Sequence, residues 1–354
     1  MPEGKDRTLI QKASERLSAV KDAMTGQPHF DFPAFDQLPK VEGQPQGCTW
    51  GFFDKNGVRD QVGTINLLTP EVVKQASQEI RSGQHVQLDW CLSDGVQFPG
   101  FGRRKFEQKV IDFRTLTDGK QIVLDDELHF NTQGGSQWDS LKHCAHQKTQ
   151  MHYNGLSHEE AIASDKNGIH NWCERGGIVG RGVLVDWLSW YEKKHGNPPS
   201  PITTHAIPIS EIEETLKWQG TTLKPADILL VRSGYTRWHD YANPAERKAG
   251  TQDNANAIGV EANEASVRWF YEHHFAAVAG DTVAFESWPP NIEAGWALHE
   301  WLLVQFGTPI GELWNLEGLS KVCEQEKKWS FFLTSAPLHV RGGVGSPPGV
   351  IAIF

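Results

Sequence analysis

Three apolar runs, GRGVLVDW (180–187), ADILLVRSGY (226–235) and AAVAGDTVAFE (276–286), constrain the fold of this chain most. Each is too short for a helix of ordinary length and has no polar alternation, as expected of strands buried on both faces. Helical patterns separate them, SEIEETLKWQG (210–220) and EANEASVRWFYEHHF (261–275). Buried strands alternating with helices predict an α/β fold. A β-rich tail, WSFFLTSAPLHVRGGVGSPPGVIAIF (329–354), closes the chain.

Further elements are legible before and after these runs. Residues 8–24 carry apolar positions at helical spacing, and a Pro- and Phe-rich stretch (27–47) reads as an extended arm laid over the body or over a second subunit. Thr69 is placed to cap a helix with Pro70 at its first position, ending near Gly83. HVQLDW (85–90) and QIVLDDELHFN (121–131) read as strands, and WALHEWLLVQFG (296–307) as a short apolar helix. The division expected is an N-terminal helix and arm, 1–48, followed by one α/β catalytic domain, 49–354.

Composition limits the function classes. A formal net charge of −10 without a Lys/Arg run argues against a nucleic-acid partner. The five cysteines are scattered without a C-x-x-C pair, as in a reducing compartment. No run approaches the roughly 18 apolar residues of a membrane span, so a cytoplasmic location is expected. GGIVGRG does not match G-x-G-x-x-G, and no G-x-S-x-G elbow is present.

The chemistry concentrates in QGGSQWDSLKH (133–143). Asp139 and His143 are four apart, within reach of one another on a helix or a turn, beside small residues that admit close backbone approach. Read by spacing alone, Asp139 capping a helix and His143 on its surface is the commoner explanation. His299, inside an apolar helical pattern, and Glu312, opening a second one, are weak signals singly. Asp281 and Glu286 follow a buried strand, where α/β sheets tend to place ligands, and turn-forming acids are equally common there. Cys144, next to His143, reads as a buried structural thiol.

Together, WGFFDKNGVRDQVGTINLLTPE, QGGSQWDSLKH, GRGVLVDW, ADILLVRSGY, AVAGDTVAFE, LHEWLLVQFGTPIGELWNLEGL and FFLTSAPLHVRGGVGSPPGVIAI resemble, in order and spacing, the metal-dependent cyclase/kynurenine formamidase-like hydrolases. The resemblance runs from about residue 49 to the C-terminus. It implies a swivelling β/β/α-type cyclase fold, commonly with paired subunits, and therefore a homodimer acting on a small molecule. The family motif H-x-G-T-H-x-D-x-P-x-H falls on QGGSQWDSLKH. Asp139 matches a ligand Asp, His143 the catalytic acid/base, and His299 and Glu312 the downstream His and Glu of the metal site. Gln133 and Gln137 replace ligand histidines, Ser136 replaces Thr and Leu141 replaces Pro.

The resemblance thus implies a divalent metal, Mn²⁺ or Zn²⁺, held by Asp139, His299, Glu312 and Gln137, with amide oxygen better suited to the harder ion. Gln133, Gln137, Trp138 and Trp288 are the expected substrate contacts. The activity implied is hydrolysis of an amide, cyclic amide or lactone. A metal-independent cyclase, lyase or isomerase using the same pocket is the alternative, and a non-catalytic binder of a small molecule or carbohydrate a third.

Overall fold

The computed structural model describes residues 32–93 and 95–354. The three apolar runs form adjacent parallel strands, Ile178–Val185, Ile228–Val231 and Ala277–Gly280, and Ile310–Glu312 adds a fourth in parallel. Their side chains are buried on both faces almost without exception, which is why the runs lack polar alternation. Antiparallel strands extend the sheet on both sides. Ser330–Ser335, Val350–Ile353 and His85–Gln87 follow beyond Ile178–Val185, while Gln137–Asp139 and Gly345–Ser346 follow beyond Ile310–Glu312. The result is one nine-stranded mixed sheet, with helices Ile209–Gln219 and Glu264–His273 in the crossovers.

Close packing at the sheet centre depends on glycine. A Cβ on Gly182 would lie 2.2 Å from the Phe331 ring, and one on Gly311 would lie 2.8 Å from both Ala279 Cβ and the Trp314 ring. Fully buried tryptophans 138, 172, 187 and 314 fill the layers between sheet and helices.

Local details differ from expectation in a few places. Thr69 does cap the helix through Val72 N, but the helix is Pro70–Ala76, with a 3-10 turn Ser77–Glu79, and so stops before Gly83. There Glu79 turns inward to Arg181 and Lys328, which ends the helical run. Leu124–His129 is a strand, yet it pairs only with Glu107–Asp112, in an exposed hairpin outside the main sheet. Glu312 does not open a helix; it is the last residue of a strand.

The predicted helix over 8–24 lies outside the described residues. Of the arm, residues 32–47 lie on this chain's own body. Phe35 and Leu38 are buried, and Phe35 meets Tyr271 edge-on at 5.5 Å beneath the Arg268 guanidinium. Among the described residues no helix is long and apolar enough to cross a membrane, and all five cysteines are free thiols.

Candidate active site

Antiparallel register builds the base of the site. Gln137 stands opposite Glu312, and Asp139 opposite Ile310. Side chains alternate along a strand, so Gln137 and Asp139 share a face, and a directly opposed pair shares that face too. Gln137, Asp139 and Glu312 therefore converge, all buried. Trp138 must point the other way. It is fully buried against Trp314, with ring centroids 4.8 Å apart, and its Nε1 donates to Ser335 Oγ at 2.9 Å. The expected substrate contact at Trp138 is thus replaced by core packing, as strand alternation requires.

The second half of the site comes from two turns. Glu286 is fully buried; its carboxylate accepts from the Leu298 and His299 amides at 2.7 and 2.9 Å and from His299 Nδ1 at 2.7 Å. It thus holds the backbone just ahead of the π-helix Glu300–Phe306 and fixes the His299 ring. The other ring nitrogen, Nε2, lies 3.1 Å from Glu312 Oε1. Bulky residues in left-handed backbone conformation adjoin both acids, Phe285 at φ 56° and Leu313 at φ 53°. Such conformations cost about 1–3 kcal/mol each and gather at functional sites.

Electrostatics follow from this crowding. Burial alone would depress the His299 pKa, but hydrogen bonds and charge from Glu286 and Glu312 hold it well above the usual histidine range. Glu312 is pushed up to about 7 by burial and by the Asp139 charge, with His299 opposing. His143 moves the other way. Burial lowers its pKa, Asp139 partly offsets this, and His299 and Arg103 lower it further. The imidazole of His143 is therefore neutral at neutral pH. Cys144 is pushed up to about 11 by burial, so its thiol stays protonated and unreactive.

Gln133 links the two halves. Its amide nitrogen lies 2.7 Å from Asp139 Oδ1 and 2.9 Å from His143 Nδ1. Its backbone carbonyl accepts from Arg103 Nη1 at 2.6 Å. Arg103, which nothing in the sequence singled out, stands with Phe101, Gln133, Tyr235 and Leu313 in the wall of a cavity of about 170 Å³. Trp288 packs edge-on to His299 at 6.3 Å and to Phe101 at 5.7 Å. Of the four expected substrate contacts, Gln133 lines this cavity, while Trp288 is not in its wall and touches it only through Phe101. Gln137 has no exposed surface and lies beneath the acids.

The donor set fits a divalent cation. Asp139, His143 and His299 offer ligand atoms all within 4.8 Å of one another. Asp139 Oδ2 is buried without a hydrogen-bond partner, and such an orphaned oxygen is costly unless something positive meets it. The raised pKa of His299 puts a proton on Nε2, which donates to Glu312 Oε1, and a divalent cation would take that proton's place. With Nδ1 on Glu286, His299 has the carboxylate–histidine arrangement that orients metal-binding imidazoles. Gln137 departs from expectation. Its Nε2, not its carbonyl oxygen, faces the acids, donating to Asp139 Oδ1 at 3.0 Å and Glu312 Oε2 at 2.9 Å. An amide donor between two carboxylates relieves their repulsion, which is the physical reason that the oxygen is not offered as a ligand.

Sequence reading flagged Glu286 only as an acid after a buried strand; its role as the anchor of His299 depends on a turn closing over residues 286–299. A model of the family described as putative cyclase matches residues 49–287. No curated protein matches the chain in sequence. The crystal structure of a novel cyclase superimposes with a TM-score of 0.74 at 31% identity, over 87% of this chain and 99% of that one. Isatin hydrolase A from Ralstonia solanacearum aligns with a TM-score of 0.52 at 16% identity, over 76% and 91% of the two chains. Isatin hydrolase A from Labrenzia aggregata, bound to benzyl benzoate, gives 0.52 at 17%, over 78% and 94%. These last two likenesses are of fold.

Proposed function

The chain belongs to the cyclase family, and on that premise we propose that it hydrolyses an amide, cyclic amide or lactone of a small molecule, with His143 as general acid and base. The observation that carries the reading is a neutral, buried His143 in one cluster with Asp139, His299 and Glu312. His143 takes the proton from the attacking water and returns it to the departing nitrogen or oxygen. The water oxygen bonds to the carbonyl carbon as the C–N or C–O bond breaks, leaving a carboxylic acid. Asp139 holds the Gln133 amide, and through it the His143 ring, in register. Glu286 holds His299 toward Glu312.

Asp139 and His299, with Glu312 against His299, would hold a divalent ion, Mn²⁺ or Zn²⁺, which when bound would polarise the scissile carbonyl and lower the pKa of water. Trp288 and Phe101 supply an apolar border suited to a planar ring. Isatin, the substrate in the names of two similar folds, is a cyclic amide, and an aryl formamide presents the same bond in open form. Five free thiols fit a cytoplasmic setting, and a homodimer is in keeping with the family.

One observation favours a second reading. The Gln137 amide bridges Asp139 and Glu312, a donor in a place where a cation would otherwise balance two acids. On that reading the pocket works by hydrogen bonding and acid/base chemistry alone. Chelation followed by Mn²⁺ re-addition separates the two. Activity lost on chelation and restored by Mn²⁺ supports the metal-assisted hydrolase; turnover unchanged by chelation refutes it.

A further inference from the structure

His143 lines a second, larger cavity, of about 590 Å³, which shares no wall residue with the cavity beside Gln133. Cavities of this size match small-molecule sites, whereas the cavity of about 170 Å³ beside Gln133 does not reach that range. Two cations stand in its wall, Lys142 and Arg341, the latter paired with Asp165 and Glu174, in a chain of net charge −10. Lys142, His143, His152, His158 and Arg341 line it, with Asp165 as the one acid. Asp165 is already engaged, its Oδ2 3.0 Å from Arg341 Nη1 and 4.0 Å from His170 Nε2.

Lys142 is the unusual member. The residue is nine-tenths buried, yet its Nζ donates to a neutral acceptor, the Ser164 carbonyl, at 2.9 Å. Among the described residues no carboxylate stands within ion-pair distance of it. Burial disfavours this ammonium, the Asp165 charge favours it from beyond ion-pair distance, and an anion entering the space it faces would stabilise it further. His152 and His158 stack beside it with ring planes 11° apart, and His152 Nε2 lies 3.1 Å from His158 Nδ1. That pair shares a proton between its nitrogens and adds polar, not acidic, wall.

We propose that this cavity seats an organic carboxylate on Lys142, next to His143, with Arg341 at its rim. The choice of carboxylate over other anions rests on the hydrolytic reading above, because each bond class named there yields a carboxylic acid that ionises at neutral pH. One ammonium and one guanidinium also suit a monoanion better than the several convergent donors that a phosphate group requires. A substrate already bearing a carboxylate would use the same seat before the reaction.

The test is calorimetric titration of chelator-treated protein with benzoate and with its neutral counterpart benzamide, so that neither metal capture nor turnover contributes. Benzoate is expected to bind about tenfold tighter than benzamide or better, the scale of a charge-assisted hydrogen bond. Lys142→Met should bring benzoate down to the benzamide level. Arg341→Gln, at an exposed position where folding is not at stake, should lose about two- to fivefold, as for a partly screened contact. Equal binding of benzoate and benzamide overturns the proposal, as does benzoate affinity unchanged in Lys142→Met. If Lys142→Met does not fold, unchanged affinity in Arg341→Gln overturns it. Failure of the hydrolytic reading looks different: no acid is released from any amide or lactone, while the benzoate preference stays.

Discussion

Single side chains hold this site in place, and Glu286 shows it most clearly. It receives three hydrogen bonds, two from backbone amides and one from His299, so it orients the imidazole without facing the cavity. Partners of this kind typically contribute 10- to 100-fold in metal affinity. Glu286→Gln is therefore expected to weaken Mn²⁺ binding by about tenfold or more, read by calorimetry on folded apo protein. Gln133 depends on a glycine instead: a Cβ on Gly345 would lie 2.6 Å from Gln133 Cγ. Gly345→Ala should push Gln133 off Asp139 and His143 and lower kcat about tenfold or more, the scale of a misplaced catalytic group. At this scale the family resemblance singles out Asp139, His143, His299 and Glu312, and the structure brings all four together. The sequence could not show that Gln137 turns its nitrogen to the acids, or that Trp138 faces the core. Both follow from which face of a three-residue strand looks inward, and one turn before the strand decides that.

At the level of elements, the site is a strand pairing. Gly311 lies between Ile310 and Glu312, where a Cβ would lie 2.8 Å from Ala279 Cβ and the Trp314 ring. Overpacking a sheet of this density typically costs about 1–3 kcal/mol. Gly311→Ala is expected to lower stability by about that amount in urea unfolding, with loss of activity because Glu312 moves with its strand. The buried parallel strands were legible because apolar runs without alternation have few other uses. Glu312 was not legible as a strand end. GELWNLEGL has apolar spacing that suits a helix, and only pairing with Ala277–Gly280 and Gln137–Asp139 draws its first residues into the sheet. The exposed hairpin was legible as one strand but not as a pair, since Glu107–Asp112 has neither alternation nor an apolar run.

Across the whole molecule, Glu79 ties together residues far apart in the sequence. It accepts from Arg181 Nε at 2.8 Å, lies 2.8 Å from Lys328 Nζ, and accepts from Ser330 Oγ at 2.9 Å. Burial opposes its charge, but Lys328, Ser330 and Arg181 prevail and hold its pKa down to about 2, against 4.5 for a free Glu. A carboxyl depressed on folding stabilises fully above its unfolded pKa, and that stability is lost as pH falls toward the folded value. Glu79→Gln should therefore cost about 2–3 kcal/mol at pH 7, and the difference from wild type should shrink between pH 4.5 and 2. A constant difference across that range would place the effect in packing instead. The central claim, that this cyclase-family chain is a hydrolase acting through His143, is tested most directly by acid release in a pH-stat. Isatin, an aryl formamide and a lactone would each be offered, with Mn²⁺ present, to wild type and to His143→Ala. The account predicts acid release from at least one of them by wild type, reduced about 10²- to 10⁴-fold in a folded His143→Ala. Equal rates for the two proteins would contradict it.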